Sequence, residues 1–189
     1  LVNREPDPVW TPDWQEFNFN FDVRQLDNPA KIAYLQDRQI YDLATWLETD
    51  DGFAGLNNRV ILPFTYQNKI VGFQSRYVGE VPPKLAKYFK KSPANYVYGL
   101  DHQTSKREYV IVTEGEFDAL LTSGVSLGSN NLSDRQAQLI EDLNIEPILL
   151  PDADKPGREL VEKAADYGWS VSFPEWEGCK DVGDAVMKY

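Results

Sequence analysis

The chain has 189 residues, 42% of them hydrophobic and 26% charged, and a formal net charge of −11, so it can bury a real core as one large domain or two small ones. No run of about 18 apolar residues exists to span a bilayer, and the first thirty residues are too polar, acidic and aromatic for a signal peptide. One cysteine, Cys179, excludes an intrachain disulfide and a cysteine-rich zinc cluster, and one histidine, His102, argues against the familiar His-based metal and triad sites, leaving carboxylates, lysines and arginines to carry chemistry.

The chain starts at Leu1 rather than Met, as expected of a piece of something longer. WTPDWQEFNFNF (10–21) alternates aromatic and polar residues, which suits core packing or an arm laid over the domain. NPAKIAYLQDRQI (28–40) reads as an amphipathic helix anchored by Ile32, Leu35 and Ile40. NRVILPFTYQNKIVGFQSRYV (58–78) reads as a hairpin turning at Gln67-Asn68. That register sets Tyr66 opposite Lys69 and Arg59 opposite Arg76. It groups Val60, Leu62 and Phe64 with Val71 and Phe73, puts Arg59, Thr65, Gln74 and Arg76 on the other face, and favours an edge position for Pro63. Two facing arginines need a counter-anion unless they splay into solvent. Between Arg59 and Lys91 seven cations stand against the single acid Glu80, a positive belt in an acidic body. Such a belt attracts polyanions locally. Residues 1–105 are therefore expected to form a smaller, basic α+β subdomain.

The region 106–189 is more regular. REYVIVTEG is strand then turn, and EFDALLTSG a short helix ending at Gly124. VSLGS is a strand, and Ser133 caps a helix running to about Leu143, with Asp134 in its first turn. IEPILLPD is a strand, and PGRELVEKAADYG a helix with Pro156 early and Gly168 as its stop. SVSFPEW is a strand and DVGDAVMKY a final short helix. Four alternations with crossovers too long for hairpins predict a parallel sheet flanked by helices, an α/β fold that takes ligands beyond the carboxyl ends of its strands.

Acids collect at those ends: Glu114 after the first strand, Asp152 and Asp154 after the third, Asp181 and Asp184 after the fourth. Residues two apart in an extended segment point the same way, so Asp152 and Asp154 are expected to project together. If the first and third strands are neighbours, Glu114 lies within about one or two strand spacings. A group of carboxylates without histidine or thiolate suits a hard cation such as Mg²⁺ or Mn²⁺. Taken singly, each acid is better explained as a helix-start residue, where the macrodipole favours it; it is the order, Glu after the first strand and Asp-x-Asp after the third, that favours a metal.

VTEGEFDAL followed by LLPDADKPGRE resembles the TOPRIM domain of primases, type IA and type II topoisomerases and some nucleases. AYLQDRQI, NRVILPFTYQNKIVGFQSRYV and PPKLAKYFKKSPANYVYGLD, in that order, narrow the resemblance to bacterial and phage-type DNA primases. SLGS and CKDVGDAV resemble further primase segments, with Asp181 matching the later acidic motif. The Pro-Lys-Tyr segment departs from the family in being stretched and having Lys-Ser where Asn-Ser is usual.

The resemblance implies Glu114, Asp152 and Asp154 as catalytic metal ligands joined by Asp181, with Asp118 and Asp184 in support. It implies Arg59, Lys69, Arg76, Lys84, Lys87, Lys90, Lys155 and Arg158 on nucleotide or DNA. The implied activity is metal-dependent RNA primer synthesis from ribonucleoside triphosphates on a single-stranded DNA template. A replicative helicase is the implied partner, and the bacterial or phage-infected cytoplasm the implied compartment. Another TOPRIM enzyme, a nuclease or topoisomerase fragment, and a non-catalytic single-stranded-DNA-binding module are the alternatives.

Overall fold

The computed structural model describes residues 11–104 and 106–189; Trp10, at the start of the aromatic run, and Ser105, at the expected subdomain boundary, lie outside them. In chain order the elements are β1 (Arg24–Gln25), α1 (Pro29–Asp37), β2 (Leu47–Glu48), β3 (Arg59–Tyr66), β4 (Lys69–Tyr77), β5 (Tyr88–Lys91), β6 (Tyr109–Thr113), α2 (Glu116–Thr122), β7 (Val125–Ser126), α3 (Asp134–Glu141), β8 (Glu146–Leu149), α4 (Lys155–Asp166), β9 (Ser170–Val171) and α5 (Val182–Lys188). They form an antiparallel sheet, β1-β2-β3-β4-β5, and a parallel sheet, β7-β6-β8-β9.

The hairpin turns at Gln67 and Asn68, both in the left-handed region with φ of 49° and 63°, which matches the right-handed twist of the strands. Tyr66 faces Lys69, but the register shifts between Phe64 and Thr65: Thr65 pairs with Ile70 and Phe64 with Gly72. Val71 is the extra residue of a β-bulge. Arg59 consequently faces Tyr77, and Val60 faces Arg76. The expected Arg59–Arg76 pair is absent, and so is the need for an anion between them. The bulge also moves Phe73 away from Val60, Leu62 and Phe64 to join Ile61 and Leu56, where Phe17, Phe19 and Phe21 cover it. Pro63 is in a central strand, though β2 pairs with β3 at Ile61 alone and leaves Pro63 beyond its end.

In the second sheet β6 pairs in parallel with β8, Val112 opposite Leu149. Helix α3 starts on a reciprocal capping box between Ser133 and Gln136, which satisfies two otherwise orphaned amide hydrogens. Leu139 and Ile140 of α3 and Leu160 and Ala164 of α4 close over Val110, Val112 and Leu149 on one face. On the other, Phe117, Ala119 and Leu120 of α2 share a core with Leu35, Trp46, Val60, Leu62 and Phe64. Helix α2 is thus wedged between the two sheets, which fixes the carboxyl ends of β6 and β8 beside β4 and β5. At its end Ser123 takes the left-handed conformation expected of Gly124. Gly124 serves close packing instead, since a Cβ there would stand 2.2 Å from the Ile111 carbonyl oxygen.

Candidate metal and nucleotide site

The acids arrive from three places. Asp152 follows β8, Asp118 projects from the first turn of α2, and Asp181 is the N-cap of α5, its carboxylate accepting from the Asp184 N–H at 2.7 Å. Each of the three offers an oxygen within 4.8 Å of the others. The loops carrying them are tied together: the Ala153 N–H donates to the Lys180 carbonyl at 2.7 Å, and the Gly183 N–H to Asp118 Oδ1 at 2.9 Å. Glu114 stands immediately behind, its Oε1 accepting from the Asp152 N–H at 3.1 Å. That packing requires Gly157, where a Cβ would lie 2.1 Å from the Asp152 carbonyl oxygen and 3.1 Å from Glu114 Oε1.

Of the predicted ligands, Asp152 and Asp181 are together and Glu114 is adjacent. Asp154 turns away to cap α4, accepting from the Gly157 N–H at 3.0 Å; the helix start begins before the strand direction can align it with Asp152. Asp118, expected in support, is inside the cluster. Asp184 is exposed at its margin. A donor set of carboxylates alone, with hard oxygens and no imidazole or thiolate, fits Mg²⁺ or Mn²⁺.

Crowding leaves its mark on protonation. Burial, then the Asp181 charge, pushes the Asp118 carboxyl up to about 7. Burial likewise raises Asp152 and Glu114. Lys180, which the sequence reading left without a role, sits among the acids with Nζ 2.8 Å from Asp152 Oδ2 and 3.2 Å from Asp181 Oδ2. Its ammonium is held well above the ordinary range by the Asp152 hydrogen bond.

A cleft of about 410 Å³ opens in front of the cluster, lined by Asp118, Asp152 and Asp181 on one side and Gln74, Tyr88 and Lys90 on the other. Lys90 binds the Gly128 carbonyl and lies 3.5 Å from the buried Glu116, whose carboxyl burial raises. Beside the cleft a smaller cavity of about 180 Å³ is lined by Arg38, Arg76, Lys87 and Lys180 together with Asp118 and Asp181. Arg38 lies 5.1 Å over the Tyr34 ring, and Arg76 lies 4.7 Å over the Tyr88 ring and binds its hydroxyl. Arg76 is 7% exposed, yet its Nε has no hydrogen-bond partner. Lys87 is drawn below its ordinary range by burial, then by Arg76, Arg38 and Lys180. These four cations therefore crowd one another at the edge of the acids.

The other predicted basic residues sit elsewhere. Arg59 is 1% exposed and donates to the carbonyls of Ala54, Ser75, Ala86 and Lys87, stitching a loop to β4 and to the segment before β5. Lys69 is at the hairpin turn and Lys84 in the exposed loop before β5, while Lys155 and Arg158 lie exposed on the first turn of α4. Arg38 was missed as a site residue although AYLQDRQI carries it.

Fold and site together define an α/β core that sets a carboxylate cluster at the carboxyl edge of a parallel sheet against a basic wall from an antiparallel one. The fold is that of the DnaG primase catalytic core. The solved DnaG catalytic core aligns with a TM-score of 0.55 at 22% identity, covering 69% of this chain and 49% of that one. The Aquifex aeolicus primase, in its zinc-binding and RNA polymerase domains, aligns at 0.53 and 24% identity, covering 69% and 37%. A DnaG primase catalytic domain bound to ssDNA aligns at 0.51 and 20% identity, covering 85% and 61%. In sequence the chain is similar to the DNA primase of Clostridium acetobutylicum, 28% identical over 151 residues, which cover 69% of this chain and 25% of that protein. It spans about a quarter of the length of that curated relative. No family model matches it.

Proposed function

We propose that the chain is the catalytic core of a bacterial-type DNA primase, with residues 106–189 as its TOPRIM domain, and that it joins ribonucleotides on a single-stranded DNA template. The observation that carries this reading is the meeting of two opposite charge clusters at one place, Asp118, Asp152 and Asp181 against Arg38, Arg76 and Lys87. Acids alone serve a cation, and cations alone serve any anion. A polyphosphate that brings its own divalent ion needs both, side by side.

Asp118, Asp152 and Asp181 would hold Mg²⁺ or Mn²⁺, with Glu114 fixing the Asp152 loop, and the ion when bound lowers the pKa of an attacking hydroxyl and spreads phosphoryl charge. The protein's own part is positioning and electrostatics, which dominate phosphoryl and nucleotidyl transfer. Arg38 and Arg76 are steered by the Tyr34 and Tyr88 rings before any ligand arrives, so little entropy is lost on binding. The unpaired, buried Nε of Arg76 is a costly donor that a phosphate oxygen satisfies. Lys69, Lys84, Lys155 and Arg158, all exposed, would meet the template backbone, where contacts are salt-dependent and largely indifferent to sequence. A replicative helicase as partner and the cytoplasm of a bacterial or phage-infected cell follow from the same reading.

The test is incorporation of labelled ribonucleotides on a single-stranded template with Mg²⁺ or Mn²⁺. Asp152→Ala is expected to abolish incorporation and leave DNA binding intact. Nicking in place of synthesis would favour another TOPRIM enzyme, and DNA binding alone, indifferent to metal, would favour a binding module.

A further inference from the structure

Lys180 borders three cavities around the acids: the main cleft, the basic cavity, and a third pocket that also touches Asp152 and Asp181. Its side chain is 54% exposed, reaches in from solvent on a flexible stem, and bridges two of the three carboxylates. Asp118 forms no salt bridge among the described residues and relies on the Gly183 N–H. A positive group is therefore already placed where a divalent ion must go, and it neutralises only part of the cluster.

We propose that Lys180 is a tethered cation that fills part of the Asp152–Asp181 site in the metal-free chain and exchanges with the incoming divalent ion. The inference rests on the reading of these acids as a metal site. Two charges replacing one favour the exchange, and the half-exposed ammonium returns to water at small cost. From its bridging position it already borders the cavity of Arg38, Arg76 and Lys87, so the released ammonium has the phosphate-facing wall within its reach once the metal is in place. Its two positions thus couple metal entry to triphosphate binding, and the resting cluster is spared its own repulsion.

Mn²⁺ titration followed by the electron paramagnetic resonance of the free ion tests this without any turnover. Lys180→Gln is expected to bind Mn²⁺ about fivefold or more tighter than the parent chain, and Lys180→Arg, which keeps the charge, to stay close to the parent. Thermal melting serves as the control: Lys180→Gln is expected to melt lower than the parent without metal, and the gap to close with saturating Mn²⁺. Equal or weaker Mn²⁺ binding by Lys180→Gln overturns the exchange while leaving the metal site standing. If neither protein takes up Mn²⁺, the metal-site reading falls and the exchange falls with it.

Discussion

Replacing Asp118 by asparagine should make the metal-free protein more stable and at the same time unable to hold its metal. Asparagine keeps the shape and an oxygen to accept from the Gly183 N–H at 2.9 Å, and removes only the charge. Burial and Asp181 lift the Asp118 carboxyl from 3.8 to about 7, which corresponds to about 4 kcal/mol of folding free energy lost on ionisation at about 1.4 kcal/mol per pH unit. Water at the open rim screens part of this, so about 2 kcal/mol is expected. The sign follows from linkage. A carboxyl whose folded pKa is raised contributes its stabilisation fully below its unfolded pKa and loses it as pH climbs through the folded value. Asp118→Asn should therefore exceed the parent most at pH 8 and converge on it as pH falls through 7 towards 4. Urea denaturation at pH 5, 6.5 and 8 in the presence of a chelator reads the difference directly. A variant no more stable than the parent at pH 8, or one offset by the same amount at pH 5, refutes the reasoning.

Gly157→Ala places a methyl group 2.1 Å from the Asp152 carbonyl oxygen; it should cost about 1–3 kcal/mol and weaken Mn²⁺ uptake, measured by urea denaturation and metal titration. Arg76→Met should weaken ribonucleoside triphosphate binding about tenfold, as loss of a charged hydrogen bond does, and leave folding stability unchanged or higher because the unpaired Nε disappears. Calorimetric titration with a non-hydrolysable triphosphate checks the first part and thermal melting the second. Ser133→Ala removes the capping box of α3 and should cost about 1 kcal/mol with Mn²⁺ affinity unchanged.

The half of the chain after residue 106 was legible because its punctuation is local. Ser133 with Asp134, Pro156 with Gly168, and apolar runs ending in acids each mark a boundary by their own chemistry. The hairpin was legible to its turn and no further, since Gln67-Asn68 announces itself whereas the extra residue Val71 looks like any strand valine. That one bulge decided which face carries Arg76 and Gln74, hence what looks into the site. Asp154 and Asp118 exchanged roles for a related reason. Helix geometry begins at Lys155 and turns Asp154 into a cap, while the first turn of α2 carries Asp118 back over the sheet edge. Arg59 shows the limit of charge counting: a guanidinium spent on four backbone carbonyls reads in sequence like one awaiting phosphate. Lys180 and Arg38 reach the site only through tertiary packing.

The central claim is that Asp118, Asp152 and Asp181 are held together for a divalent cation. Anomalous scattering from crystals soaked in Mn²⁺ tests it most directly. We expect a peak among these three carboxylates with Lys180 withdrawn from Asp152; a map with no peak there, and Lys180 still bridging Asp152 and Asp181 at high Mn²⁺, contradicts the account.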